Sequence, residues 1–204
     1  MELMPSIRFR GAAIARSATA TAVLLFAGSA VAESCYSGGG ESGFLEFRGA
    51  VEGSGFTGRF GDFDVRYCMA DGAPADGSID VAVRLASAES GNNDRDETLI
   101  GPEFFHVERF PEATWSSTAL RAAGDGYEAD GELTLRDITA EQSIVFRLTP
   151  DGEALVAAGE FTMGGSSEIE RLRFDIGTGE FADPEFVRNR VDVRFEVRLD
   201  SVSD

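Results

Sequence analysis

Ten residues near the C-terminal end alternate without a fault. Val191, Val193, Phe195, Val197 and Leu199 fall between Asp192, Arg194, Glu196, Arg198 and Asp200. A period of two over that length predicts a strand with one buried and one wet face. The same parity runs through Ile79, Val81, Val83 and Leu85. It recurs from Tyr127 to Leu135, where Leu133 and Leu135 alternate with Glu132, Thr134 and Arg136. Ile144, Phe146 and Leu148 form a shorter case, as do Leu172, Phe174 and Ile176. Further candidate strands cover 44–51, 58–69, 112–121 and 154–163. Only 93–105 and 181–188 read as short helices.

The connections fit antiparallel pairing. Gly124-Asp125-Gly126 and Pro150-Asp151-Gly152 carry hairpin chemistry. Asp71 to Gly77 reads as a longer surface turn, and 136–143 as a polar connection. About eight strands separated by turn signals favour a closed barrel or a sandwich over any α/β fold. The glycine- and serine-rich stretch 36–43 reads as flexible unless a disulfide holds it. The expected organisation is a segment at 33–43 followed by one all-β domain over 44–204.

The N-terminal 32 residues carry a different pattern. Arg8, Arg10 and Arg16 flank an apolar run from Ala18 to Ala27, and Ala30-Val31-Ala32 offers small residues for cleavage. This is the pattern of a secretory signal peptide, with cleavage expected after Ala32. The run is too short to span a bilayer, which takes about 20 apolar residues. Glu33 makes the context of Cys35 a poor one for lipid acylation. Export makes one disulfide, Cys35 to Cys68, the simplest use of the two cysteines. Closing a loop of roughly 30 residues contributes on the order of 3 kcal/mol.

Charge narrows the partners. The chain carries −18, and loss of the signal removes three arginines and Glu2, leaving −20. Nucleic acid and anionic membrane surfaces repel such a chain. All 18 basic residues are arginine, which excludes lysine-based covalent catalysis.

Several motifs fall away on inspection. Gly53 to Gly58 matches G-x-G-x-x-G, but a strand-like alternation follows where a phosphate-binding helix is required. A hairpin turn with a bulge explains it better. His106 is the single histidine, so a catalytic triad or a histidine metal cluster lacks members, and a structural role beside Phe104-Phe105 is expected. Asn92, Asp94, Asp96, Thr98, Ile100 and Glu103 match the spacing of a calcium loop. However, Glu97 stands where the sharp turn requires glycine. A solvated helix start with Asp94 near the cap is the stronger reading, and no metal is assigned. Carboxylate pairs such as Asp62/Asp64 and Asp80/Glu46 are expected by chance in so acidic a chain.

The aromatics change the picture most. Sixteen Phe stand against three Tyr and one Trp, many on the apolar parity of strands. An ordinary core explains most of them. An eight-stranded barrel can also enclose a ligand instead of filling completely.

Four ordered stretches then carry a family resemblance. Phe56-Thr57-Gly58-Arg59-Phe60-Gly61-Asp62-Phe63 comes first. Residues 86–117 follow, with Arg95-Asp96, Leu99, Phe104-Phe105, Phe110-Pro111, Trp115 and Ser116-Ser117. Ala129 to Thr139 and Asp175 to Phe181 complete the set. Together they resemble the YceI-like family over about 44–200. The usual opening strand with its His-Ser pair is absent, Asp137 stands at a glycine position, and 164–173 is longer and more polar than usual. The resemblance implies an extended eight-stranded antiparallel lipocalin-like barrel with one or two short helices, enclosing a polyisoprenoid such as an isoprenoid quinone or its precursor. By position it implies Phe60, Phe63, Leu99, Phe104, Phe105 and Trp115 as lipid-binding residues. It implies a periplasmic location. The residues themselves show no catalytic constellation, so no catalytic residue, no cofactor beyond the bound lipid and no stable membrane insertion are expected. A homodimer is left open. Two other classes stay open: a ligand-free interaction module with a filled core, and an enzyme acting on an isoprenoid or quinone.

Overall fold

Alternating residues become strands wherever the sequence alternates most strictly. The protein is seen in a computed structural model that describes residues 33–202 except Asp71. The expected signal peptide and its cleavage site lie outside the described residues. Twelve strands are described: β1 Glu33–Gly39, β2 Gly43–Val51, β3 Ser54–Phe60, β4 Phe63–Ala70, β5 Gly77–Arg84, β6 Ala88–Glu89, β7 Glu112–Ala123, β8 Gly126–Leu135, β9 Ile138–Glu141, β10 Ile144–Thr149, β11 Glu160–Glu170 and β12 Arg190–Ser201. Two α-helices are described, α1 Asn93–Ile100 and α2 Glu153–Ala158.

Twelve segments make eight long strands. β1 and β2 both pair with β12, with Ser37 opposite Asp200 and Gly43 opposite Val197. Residues Gly40–Ser42 bulge out between them, held where the Ser42 hydroxyl donates to the Arg198 carbonyl at 2.9 Å. β3 and β4 run on across Gly61-Asp62, and β5 and β6 across a 3₁₀ turn at Leu85–Ser87. β9 and β10 share one register against β8. The ring then reads β1/β2, β3/β4, β5/β6, β7, β8, β9/β10, β11, β12 and back to β1/β2, all antiparallel. This is the eight-stranded closed barrel.

Five expectations need correction. Residues 33–43 are not a flexible lead-in. β1 pairs with β4 along its whole length, Cys35 lies directly opposite Cys68, and a disulfide joins them. The barrel therefore begins at Glu33. Residues 154–163 are not one strand: α2 occupies the first half, and Gly159 ends it in a left-handed conformation before β11 begins. Leu172, Phe174 and Ile176 are no strand either, because Arg171–Phe174 form a 3₁₀ turn and Asp175 is left-handed. The polar connection 136–143 contains β9. The expected helices are shorter: α1 stops before Gly101-Pro102, and Gly179–Ala182 form one 3₁₀ turn ahead of Pro184.

The two ends of the barrel are finished differently. At one end α2 places Leu155 beneath a packed layer of Tyr36, Tyr67, Met69, Ile79, Phe146, Phe161 and Leu199. Tyr67 meets Phe161 and Phe146 edge-on, and its hydroxyl donates to the Pro74 carbonyl at 2.7 Å. At the other end α1, the loop 101–111 and the segment 171–189 lie across the strand ends.

Candidate functional site: an apolar cavity in the α1 half

The strands leave the α1 half of the barrel hollow. A cavity of about 220 Å³ lies there, lined almost wholly by carbon. Phe60, Phe63, Leu99, Phe104, Phe105 and Trp115 all line it, so six residues from four separate segments come together around one space. β12 contributes Val191, Val193, Phe195 and Val197 on its inward parity. β2 contributes Leu45 and Phe47, and β8 Leu133 and Leu135. An aromatic ladder climbs one wall from Phe105 to Phe60 to Phe47 to Phe56, with ring centroids 5.7, 5.1 and 6.3 Å apart. Such pairs add modestly to the burial of their surfaces.

Two glycines shape the wall. Trp115 lies flat over Gly131 of the neighbouring strand; a Cβ there would stand 2.5 Å from the indole. The indole N–H donates to the Gln142 carbonyl at 2.9 Å. Gly58 likewise lies under the Phe47 ring, 2.3 Å from where a Cβ would be. Only a hydrogen fits beneath either ring, which is why large aromatics can stand inside a barrel this narrow.

The cover over the cavity is stitched by backbone groups and by one buried cation. Arg171 is 3 % exposed and, among the described residues, faces no carboxylate partner. Its five N–H groups donate to five carbonyls: Arg188 at 3.2 Å, Ile176 at 2.7 Å, Gly177 at 2.9 Å, Phe181 at 2.7 Å and Val187 at 2.6 Å. Burial lowers its pKa from the ordinary arginine value. The carbonyl dipoles take the place of a counter-ion. The Glu103 carbonyl accepts from Gly177 and Thr178, and Phe104 packs against Phe181 at 5.1 Å, so the two covering segments hold each other.

A model of the YceI-like domain family matches residues 40–199. The chain belongs to the YceI-like family. A "UPF0312 protein" of Yersinia pestis (strain Pestoides F) is 35% identical over 135 residues, which are 64% of this chain and 69% of that protein. A similar protein of Pectobacterium atrosepticum is 32% identical over 141 residues, 67% of this chain and 72% of that one. Among solved structures, Burkholderia cenocepacia BcnA superposes with a TM-score of 0.69 at 23% identity, over 76% of this chain and 95% of its own. A polyisoprenoid-binding domain from Saccharophagus degradans, implicated in plant cell wall breakdown, gives 0.59 at 12% identity, over 85% of this chain and all of that one. At these identities the structural likeness establishes the fold.

The YceI-like signature has a physical reading. The Asp96 carboxylate accepts from both the backbone N–H and the hydroxyl of Ser90. Arg95 donates to the Ser90 hydroxyl at 2.7 Å and lays its guanidinium 4.3 Å over the Phe56 ring. The pair thus docks α1 onto β6 and β3 and points Leu99 inward. Pro111 offers its carbonyl to the Leu85 N–H. The Ser116 hydroxyl donates to Asp80, and the Ser117 oxygen accepts from the Ile79 N–H beside a bulge in β7.

The remaining candidates find structural employment. Asn92 caps α1, accepting from the Arg95 N–H at 2.9 Å, so the calcium-loop spacing winds around a helix and its ligands do not converge. Among the described residues the one cluster of three potential metal ligands is Glu33, Cys35 and Cys68, and its two sulfurs are joined in the disulfide. Glu52-Gly53 is a hairpin turn with both residues at positive φ, and β3 follows with no helix. His106 packs edge-on against Phe110. Asp80 accepts from Ser116, and Asp64 lies 3.6 Å from Arg84.

Phe47, Phe56, Phe195 and Arg171 were not among the expected site residues. The first three stand on the inward parity of their strands, a signal that was present. Arg171 gave none: an arginine in a polar stretch reads as solvated until five carbonyls are seen to converge on it.

Proposed function

We propose that the protein is a periplasmic carrier that encloses the tail of a polyisoprenoid lipid in the cavity of its barrel. The observation that carries this reading is the hollow itself. Fifteen aromatic and branched residues named above face an empty space in a barrel whose other half packs solid. Each CH₂ moved from water into such a space contributes roughly 0.8 kcal/mol, so a long hydrocarbon binds tightly with few polar contacts. Family membership supports the reading, and so does the polyisoprenoid-binding domain among its structural neighbours. The disulfide suits an oxidising compartment. Among the described residues no helix is long and apolar enough to cross a membrane. The protein acts by sequestration and makes or breaks no bond, so no cofactor enters.

The test is mass spectrometry of an organic extract of protein purified from its native envelope. A stoichiometric isoprenoid is expected. An empty protein that also takes up no quinone or polyprenol would return the reading to a ligand-free module. Phe104→Asp should abolish lipid retention while leaving the barrel folded by circular dichroism. Unchanged lipid content would count against the tunnel placement.

A further inference from the structure

Polar groups line the cavity in five places, and what they touch bears on which part of a lipid the protein can recognise. The Trp115 N–H is committed to the Gln142 carbonyl. The Gln142 amide donates to Ser167 Oγ at 2.7 Å and to the Glu168 carbonyl at 3.0 Å, and the Ser167 hydroxyl donates onward to the Ser143 carbonyl at 2.7 Å. All five N–H groups of Arg171 end on backbone carbonyls. Arg188 lies exposed at the rim, pairs with Asp192 at 3.0 Å and donates to the Arg48 and Arg190 carbonyls. Each of these groups holds the wall or the cover in place.

A quinone carbonyl, a phosphate or a hydroxyl brought into this cavity would therefore lose its water and compete for donors that already have partners, the Nη1 of Arg188 at the exposed rim excepted. Leaving a buried polar group unpaired is unfavourable, and more so for a charge. A methyl-branched hydrocarbon loses nothing of that kind. It meets Val65, Val81, Val83, Val191, Val193 and Val197, whose branched side chains suit a branched chain. Arg171 adds a buried positive charge, but five carbonyls surround it and no N–H remains to bond an anionic head.

The geometry points to a carrier that reads the tail and ignores the head: its ligand class is the isoprenoid hydrocarbon, whatever group ends it, with that group left in water at the rim. This rests on the carrier reading above and deepens it. The chain then serves alcohols, quinones and phosphates of one tail length alike, and excludes tails too short or too stiff to fill the hollow.

The experiment uses the delipidated mature protein with its disulfide intact and three probes equal in carbon number: squalene, hexaprenol and hexaprenyl phosphate. Each is delivered from cyclodextrin and followed by the emission of Trp115. The expected result is binding of all three with Kd values within about threefold, a difference under 1 kcal/mol. A site that reads a head by buried hydrogen bonds discriminates by about 10⁴-fold against a ligand lacking it. Failure of squalene with tight hexaprenol or hexaprenyl phosphate would overturn the proposal and leave the carrier reading standing. A tenfold or larger preference for the phosphate would overturn it in favour of a role for the Arg171 charge. Binding of none of the three would overturn both readings.

Discussion

β12 passes through two environments on a single parity. At its far end Leu199 is 0 % exposed, locked among Tyr36, Tyr67 and Phe161. Six residues earlier Val191, Val193 and Phe195 point the same way and remain partly exposed, because they face the cavity instead of other side chains. β5 repeats the contrast: Ile79 is fully buried, whereas Val81 and Val83 are not. Alternation tells which residues point inward. It does not tell whether anything meets them there. The α2 half is a protein core in the ordinary sense, and the α1 half is a core missing its centre.

The largest contrast should come from two leucines. Leu199→Ala removes a fully packed side chain and should cost about 3–5 kcal/mol, read as the midpoint of a denaturant titration. Leu45→Ala faces existing space and should cost about 1–2 kcal/mol in the lipid-free protein, since little new void forms. Equal losses would mean that the two halves are packed alike.

Replacing Cys35 and Cys68 together by Ser should cost about 3–4 kcal/mol, the value for a loop closed across 33 residues. Both cysteines stand in the α2 half, so lipid occupancy at room temperature should not change. Lost occupancy in a folded double mutant would show that the halves are coupled.

Gly131→Val should cost about 2 kcal/mol by overpacking and tilt Trp115 into the cavity. Trp115 is the only tryptophan, so a shifted emission maximum with lowered lipid occupancy is the combined readout. An unmoved emission maximum would sink the idea that Gly131 seats the indole.

The smallest effect concerns alkali. Burial, with the neighbouring Tyr127 and Asp151, pushes the Tyr67 phenol far above its usual value. Tyr127, bonded to Asp151 at 2.8 Å, is pushed up to about 12, chiefly by desolvation. The folded state holds these protons more tightly than the unfolded chain. Their contribution is therefore complete below pH 10, the unfolded value, and is lost as pH rises through the folded values. Both phenols belong to the α2 half. Tyr127→Phe should flatten the decline in stability between about pH 10 and 12.

Strand parity, the hairpin at Gly124-Asp125-Gly126 and the eight-strand count were legible because each depends on neighbours in sequence, whereas Pro150-Asp151-Gly152, expected as a hairpin turn, leads into α2. The strand at Glu33–Gly39 was not, because its glycines and serines carry no parity. What orders it is non-local: pairing with β4 and the Cys35–Cys68 bond. α2 was hidden inside a run read as strand, since six residues are too few for a helical period to show. The six lining residues came from the family signature, since nothing in the spacing of Leu99 and Trp115 says that they share a cavity. Residues such as Phe195 and Phe47 needed only the strand parity, but parity alone cannot separate a cavity wall from a core.

The interruptions in the long strands fall side by side. Gly40–Ser42, Gly61-Asp62 and Leu85–Ser87 touch across three neighbouring strands: Gly40 donates to the Phe63 carbonyl, and Gly61 to that of Ser87. Across the barrel, the bulge of β7 after Ser117 and the break at Gln142-Ser143 meet on Asp130 and Gly131, with Ser143 bonded to Asp130 at 2.7 Å and Gln142 to Gly131 at 2.8 Å. A tube creased on opposite walls is jointed. Residues gained or lost at the joint need not reset the pairing on either side of it. The bore can thus be lengthened, narrowed or re-lined over generations while the base keeps its register, and one scaffold can be fitted to tails of different length.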